Sequence, residues 1–283
     1  MTDDAYLHVG DQPVARYLLD PPLDAHDGRR PYLHPVRTLA GTVVTDELPA
    51  DHRWHNGASL AVPDVAGSNL WGGRTYRRAD GYQWRDDHGR IVHTGWAARD
   101  PHRLAHHLEW RDRHGGVLLA ERRELTATPV TPTAWALDLA YTLTAPDDRT
   151  VTLGSPATNG RPGGAGYGGF FWRATGSAGP AHTFTAAADG EEAVNGSAEP
   201  WLAFTGTGPG GSAYTLVFTG LGDGDRWFVR TSMYPGIGVA FAFERPRVIA
   251  AGATRAGRHR VVVADGRLDR AAAAGLAAAA VPG

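Results

Sequence analysis

The chain of 283 residues contains no cysteine. That excludes disulfides, thiolate metal sites, cysteine nucleophiles and iron–sulfur clusters. Lysine is lacking as well; the basic residues are arginines scattered among acids, and the formal net charge is −2. With a pI near 6.7, no stripe suited to nucleic acid or an anionic membrane is visible. Long apolar runs are missing too, since "IGVAFAF" and "GLAAAAV" are far too short to span a bilayer. The opening "MTDDAYLHVGDQPVARY" carries two early acids and no apolar h-region, which argues against a secretory signal. A soluble cytoplasmic protein without nucleic-acid or membrane partners is expected, with a homodimer left open. No G-x-S-x-G elbow and no H-E-x-x-H occur, which removes the commonest hydrolase templates.

What is present is turn chemistry and aromatic rings: 37 Gly, 19 Pro, nine Trp and nine Tyr. Such a composition suits many short strands joined by tight turns. "TAWALDLAYTLTAP" places Trp135, Leu137, Leu139, Tyr141 and Leu143 on one strand face. Hairpins are expected around Asp87-His88-Gly89 and around Asp112–Gly116. Only the tail "RLDRAAAAGLAAAA" has helix composition, with Asp269 as its N-cap. The expectation is an all-β chain. It is a large antiparallel β-sandwich forming one domain over residues 1–283, with a short C-terminal helix.

"PADHRWHNG" packs Asp51, His52, Trp54 and His55 into five residues. At a spacing of three, His52 and His55 fall on one side of a turn and can converge on a ligand or an ion. His34, in "RPYLHP", could supply a third nitrogen. Equally, these histidines could satisfy loop backbone groups and pack on Trp54. In "VLLAERREL", Glu121 and Arg123 alternate with Leu119 and Leu125 on one strand face. Such a pair is either a structural ion pair or part of a site, with Glu121 as a candidate acid/base. His106 and His107 point to opposite faces of a strand, which suggests a surface or edge role. "GGAGYGGFFWR" lacks the strand–helix context of a nucleotide loop and reads as a flexible aromatic loop. There Tyr167 and Arg173 could close over the face of a sugar ring. In "RWFVRTSMYPG", Arg230 shares a face with Phe228 as a second cationic wall, and Tyr234 is a substrate-binding candidate.

"RPYLHPVRTLAG", "DHRWHNG", "NLWGGRTY", "GYQWRDDHG", "GYGGFFWR", "WFVRTSMYPG" and the terminal "VVVADGRL" occur in an order that resembles a bacterial family labelled PmoA or methane oxygenase PmoA. The resemblance runs along nearly the whole chain. It implies a galactose-mutarotase-like supersandwich and, by the company such genes keep, carbohydrate chemistry. Methane oxidation is not carried over, because the methane monooxygenase subunit of that name is a membrane protein and this chain has no spanning segment.

The leading functional expectation is an enzyme acting on a sugar or glycoside by epimerisation or by keto-sugar elimination or hydrolysis. His52 or His55 would be the base, Glu121 the orienting group or opposing acid, and Arg173 and Arg230 the oxyanion donors. Trp71 and Tyr167 would be stacking walls, and His34 a further substrate contact. A divalent ion held by His34, His52 and His55, or by Glu121, is an alternative. Other readings are a non-catalytic carbohydrate-binding module and a secondary-metabolism tailoring enzyme acting on a non-sugar substrate.

Overall fold

Period-two alternation organises the structure, a computed structural model that describes residues 4–176 and 181–279. In the strand Ala134–Thr144, the five residues Trp135, Leu137, Leu139, Tyr141 and Leu143 all enter a core between two sheets. Ala134 and Ala136 turn to the opposite side. The larger sheet has eight strands, all antiparallel to their neighbours. Their order is His182–Thr185, Trp201–Thr207, Ala213–Thr219, Thr254–Asp265, Ala134–Thr144, Val117–Thr131, Arg103–Arg111 and Arg90–Asp100.

The second sheet has seven antiparallel strands. They run Ala5–Val9, Gln12–Leu18, Tyr32–Val36, Ala58–Ala61, Gly169–Arg173, Gly236–Ala240 and Arg226–Arg230. Leu60, Phe170, Trp172, Trp227 and Ile237 of this sheet meet Leu125, Leu216 and Val261 of the other in a single apolar core. Each such side chain contributes about 1.5–3 kcal/mol on burial. The fold is therefore an all-β sandwich with large antiparallel sheets. Among the described residues no helix is long and apolar enough to cross a membrane.

The C-terminal helix Arg270–Ala279 covers the outer face of the eight-stranded sheet, where Ala273 and Ala277 pack with Ala136, Trp201 and Val262. The Asp269 carboxylate accepts the Ala272 amide at 2.8 Å, the N-cap role read from the sequence.

Two local expectations are corrected. The Asp112–Gly116 turn joins its two strands, but the Asp87–Gly89 segment does not make a hairpin. Gly81–Gln83 pairs instead with Thr75–Arg77, and Arg90–Asp100 pairs with Arg103–Arg111. His88 is drawn inward by bonds to the carbonyls of Gly73 (2.7 Å) and Arg85 (3.1 Å), so a polar triplet that reads as an exposed turn is a buried crossing. The "GGFFWR" stretch is likewise no loop. It is a central strand of the seven-stranded sheet, paired on both sides, with Phe170 and Trp172 in the core.

Candidate functional site

The residues of the seven-stranded sheet that point away from the core build the floor of a cavity. Phe171, Phe228, Ala61 and Ala240 alternate with core residues on their strands and form a separate apolar cluster with Trp71. Above them lies a cavity of about 410 Å³, a volume within the range of small-molecule sites. Loops supply its walls. His52, Trp54 and His55 come from the 49–57 segment, Tyr82 and Trp84 from the region of the small two-stranded sheet, and Met233 and Tyr234 from beyond the last strand of the sheet.

The 49–57 segment is pinned at several points. Amide bonds from His52 to Pro49 O and from His55 to His52 O wind it into a turn. The spacing of three therefore brings His52 and His55 together, their rings stacked at 4.7 Å and 8°. Gly57 has φ +47°, and a Cβ there would meet Leu33 O at 2.1 Å, so only glycine lets the loop enter the adjacent strand this tightly. Trp54 lies on Gly72-Gly73, where added Cβ atoms would lie 2.5 Å and 2.4 Å from it. Asn69 holds that glycine turn by accepting the Trp71 and Gly72 amides. Arg30 is fully buried and donates to the carbonyls of Gly28, Trp54 and Trp71 and to Ser59 Oγ. Burial without a carboxylate partner pushes its pKa down to about 10, which keeps it charged at neutral pH.

The catalytic chemistry available here centres on Asp51 and His52. Asp51 accepts two bonds from the Arg173 guanidinium, at 2.8 and 3.0 Å, and one from His52 Nδ1 at 2.9 Å. Burial raises the Asp51 pKa, yet the bonds from Arg173 and His52 outweigh it and hold the carboxyl below the usual range. When neutral, His52 carries its proton on Nδ1 facing this carboxylate, so Nε2 is the basic nitrogen. Arg173 is buried and does not line the cavity. It acts on the site through Asp51, while its guanidinium lies 5.3 Å from the Tyr234 ring.

His55 has a different environment. It is 2% exposed and enclosed by the rings of His52, Trp71, Phe171 and Tyr234. Burial, then the neighbouring His52, Arg173 and Arg30, drives its pKa well below the ordinary imidazole value. Among the described residues its Nδ1 has no hydrogen-bond partner, and neither does the Trp71 indole nitrogen. By contrast the buried indoles of Trp110, Trp135, Trp172 and Trp227 all donate to oxygens. His55 is thus a neutral wall of the cage and not a base working near neutral pH.

Hydroxyl and guanidinium groups face the same space. Tyr234 touches both imidazoles, at 4.6 and 4.8 Å between centroids, and burial pushes its pKa up to about 12. It therefore stays protonated and able to donate. Tyr167 bonds the Tyr82 hydroxyl at 3.0 Å, and Arg161 donates to the same hydroxyl at 2.5 Å. Burial raises both phenols. Arg230 is committed to the carbonyls of Val229 and Gly164 and lies 3.8 Å from Glu191.

A family model described as "Family of unknown function (DUF6807)" matches residues 5–278. The chain belongs to this family. No curated protein matches it. The family description carries no activity, so the chemistry of this DUF6807 member has to be argued from the cavity itself.

Of the residues singled out from the sequence, His52, His55, Trp71, Tyr167, Arg230 and Tyr234 line one cavity. Glu121 and His34 do not. Glu121 lies in the sandwich interior, bonded to both Arg123 and Trp110, with side-chain exposure of 0%. A carboxylate sealed there cannot orient His52, and the alternation that marked it as special reports a structural ion pair. His34 bonds Thr45 Oγ1 at 3.0 Å and lies 3.4 Å from Glu47, outside the cavity lining. The trio His34, His52 and His55 therefore does not converge, and among the described residues no group of three His, Cys, Asp or Glu side chains is placed to hold a metal ion. His106 is also corrected: it is fully buried, bonded to the Tyr17 hydroxyl at 3.1 Å and to His93 at 2.9 Å.

Sequence reasoning missed the roles of Asp51, Arg74, Tyr82, Trp84 and Arg161. Asp51 was visible beside His52. The others become neighbours only through the small two-stranded sheet, and the "YQW" spacing of two rings on one strand face was the one local signal.

Proposed function

We propose that this chain is an enzyme that binds a sugar-like ring in the cavity and moves a proton at a carbon next to a carbonyl. The Asp51–His52 pair opening on an aromatic-walled cavity carries this reading. His52 Nε2 takes the proton from the carbon, and the electron pair of that C–H bond moves toward the carbonyl to form an enolate. Asp51 steadies the resulting imidazolium, and Arg173 keeps Asp51 ionised. Tyr234 takes the donor role first assigned to Glu121, because its protonated hydroxyl belongs to a ring packed on His52. Delivery of a proton from water to the opposite face, with the proton on His52 passing to solvent, gives epimerisation. Departure of a substituent on the next carbon gives elimination. The C–H faces of a sugar ring suit the rings of Trp54, Trp71 and Trp84.

The experiment is proton exchange in D₂O followed by NMR on a panel of oxidised (keto) sugars and glycosides. Deuterium entry at the carbon beside the carbonyl, lost in His52→Gln with ligand binding retained, is the expected result. Ligand binding without exchange or turnover, indifferent to His52→Gln but lost in Trp84→Ala, would replace the enzyme with a carbohydrate-binding module. The 52% exposure of the Trp84 ring at the cavity rim is the observation on the side of that second reading.

A further inference from the structure

The cavity has an imbalance of charge that proton transfer does not use. Arg74, Arg161 and Arg230 line it, and among the described residues Asp51 is the only carboxylate in the lining. Asp51 is itself taken by Arg173 and His52. Other arginines nearby are engaged: Arg230 lies by Glu191, Arg53 pairs with Asp27, Arg85 pairs with Asp80, and Arg30 spends its donors on three carbonyls and Ser59. Arg74 and Arg161 break this pattern. Among the described residues neither has an ion-pair partner. Arg161 donates one bond to the Tyr82 hydroxyl and lies 4.7 Å over that ring, and Arg74 lies 5.6 Å from the centroid of the Trp84 ring. Each guanidinium packs on a ring, and among the described residues most of their N–H donors have no protein acceptor.

We infer that Arg161 and Arg74 form an oxyanion subsite, so that the ligand carries a carboxylate or a phosphate on the ring from which His52 takes a proton. A planar guanidinium supported on an aromatic face is preorganised for two-pronged bonding to such a group. This inference rests on the sugar reading above for the identity of the ring, but not for the anion.

The test is calorimetric titration of the full chain with four probes: methyl glucoside, methyl glucuronide, glucose 6-phosphate and benzoate. An acidic sugar is expected to bind roughly tenfold or more tightly than methyl glucoside, with the preference reduced by salt. Arg161→Gln and Arg74→Gln should each lower the affinity for the acidic sugar far more than that for methyl glucoside, erasing most of the preference. Arg74 is exposed, so its variant keeps the fold even where Arg161→Gln loses the Tyr82 contact; circular dichroism checks both. Whichever of glucuronide and phosphate is preferred assigns the anion. Equal binding of neutral and acidic sugars would overturn the subsite and leave the sugar reading standing. Arginine-dependent binding of benzoate with no sugar bound would uphold the subsite and overturn the sugar. Binding of none of the four would overturn the subsite.

Discussion

Removing the Glu121 carboxylate should unfold the sandwich more readily without touching the chemistry of the cavity. Its two oxygens accept Arg123 Nε at 2.6 Å, Arg123 Nη2 at 2.8 Å and Trp110 Nε1 at 2.6 Å, and both partners of the ion pair are sealed from solvent. Among the described residues, Glu121→Ala leaves a buried guanidinium with only the Tyr17 hydroxyl as partner, and an indole with none. Breaking a buried pair from one side costs about 3–5 kcal/mol, and the orphaned indole brings the total to about 4–6 kcal/mol. At about 2 °C per kcal/mol for a chain of this size, the melting point should fall by roughly 8–12 °C. Glu121→Gln keeps one acceptor and should lose about half as much. The double variant Glu121→Met with Arg123→Leu should recover most of the loss, because a matched apolar pair needs no desolvation of charge. Urea titration reads the stability, and titration of a bound ligand reads the cavity. The reasoning fails if Glu121→Ala keeps the wild-type urea midpoint. It fails equally if Glu121→Gln holds that midpoint and loses turnover, which would make the carboxylate a catalytic group.

Three further outcomes follow from the same geometry. His52→Gln should lower the rate of proton exchange by roughly 10²–10⁴-fold with little change in affinity, and Asp51→Asn should also slow it, both read by NMR in D₂O; wild-type rates in either variant would remove the pair from the chemistry. His55, His106 (pushed down to about 2) and His259 (pushed down to about 4) are kept neutral in the folded chain chiefly by burial. Their folded pKa values lie below the unfolded one, so the unfolded chain binds more protons below pH 6.5. Stability should be full above that pH and fall by about 1.4 kcal/mol per group per pH unit below it, and urea midpoints flat between pH 7 and pH 5 would contradict the burial of these rings. Gly73→Ala should displace Trp54, whose ring atoms lie 2.4–2.7 Å from the added methyl position. The expected result is a weaker ligand affinity with an altered tryptophan fluorescence; unchanged affinity would show that Trp54 is no wall of the site.

Legibility differed from element to element for physical reasons. The strand Ala134–Thr144 was readable because one buried face imposes a strict period of two. The C-terminal helix was readable from alanine content and the Asp269 cap. His52 and His55 were readable as partners because a single turn places them together. "GGFFWR" was misread because its glycines suggest a mobile loop, whereas two neighbouring strands distant in sequence satisfy its backbone. Glu121 stayed open between an ion pair and a catalytic acid because one alternating carboxylate looks alike whether its face meets a cavity or another sheet; the structure shows the ion pair.

The sequence by itself determined the class of fold and the loop that carries the Asp51–His52 pair. Both depend on neighbours within a few residues, namely the alternation of side chains along strands and the Asp51–His52 adjacency. Only the tertiary structure decided which charged residues share a cavity. Arg173, far along the chain, meets Asp51 because its strand pairs beside the one that follows the 49–57 loop. Arg161 and Tyr82, separated by 79 positions, meet because a long loop returns over the small sheet, and Glu121 is withdrawn because its strand face turns toward the partner sheet. Such meetings are set by packing between distant segments, which local spacing does not encode.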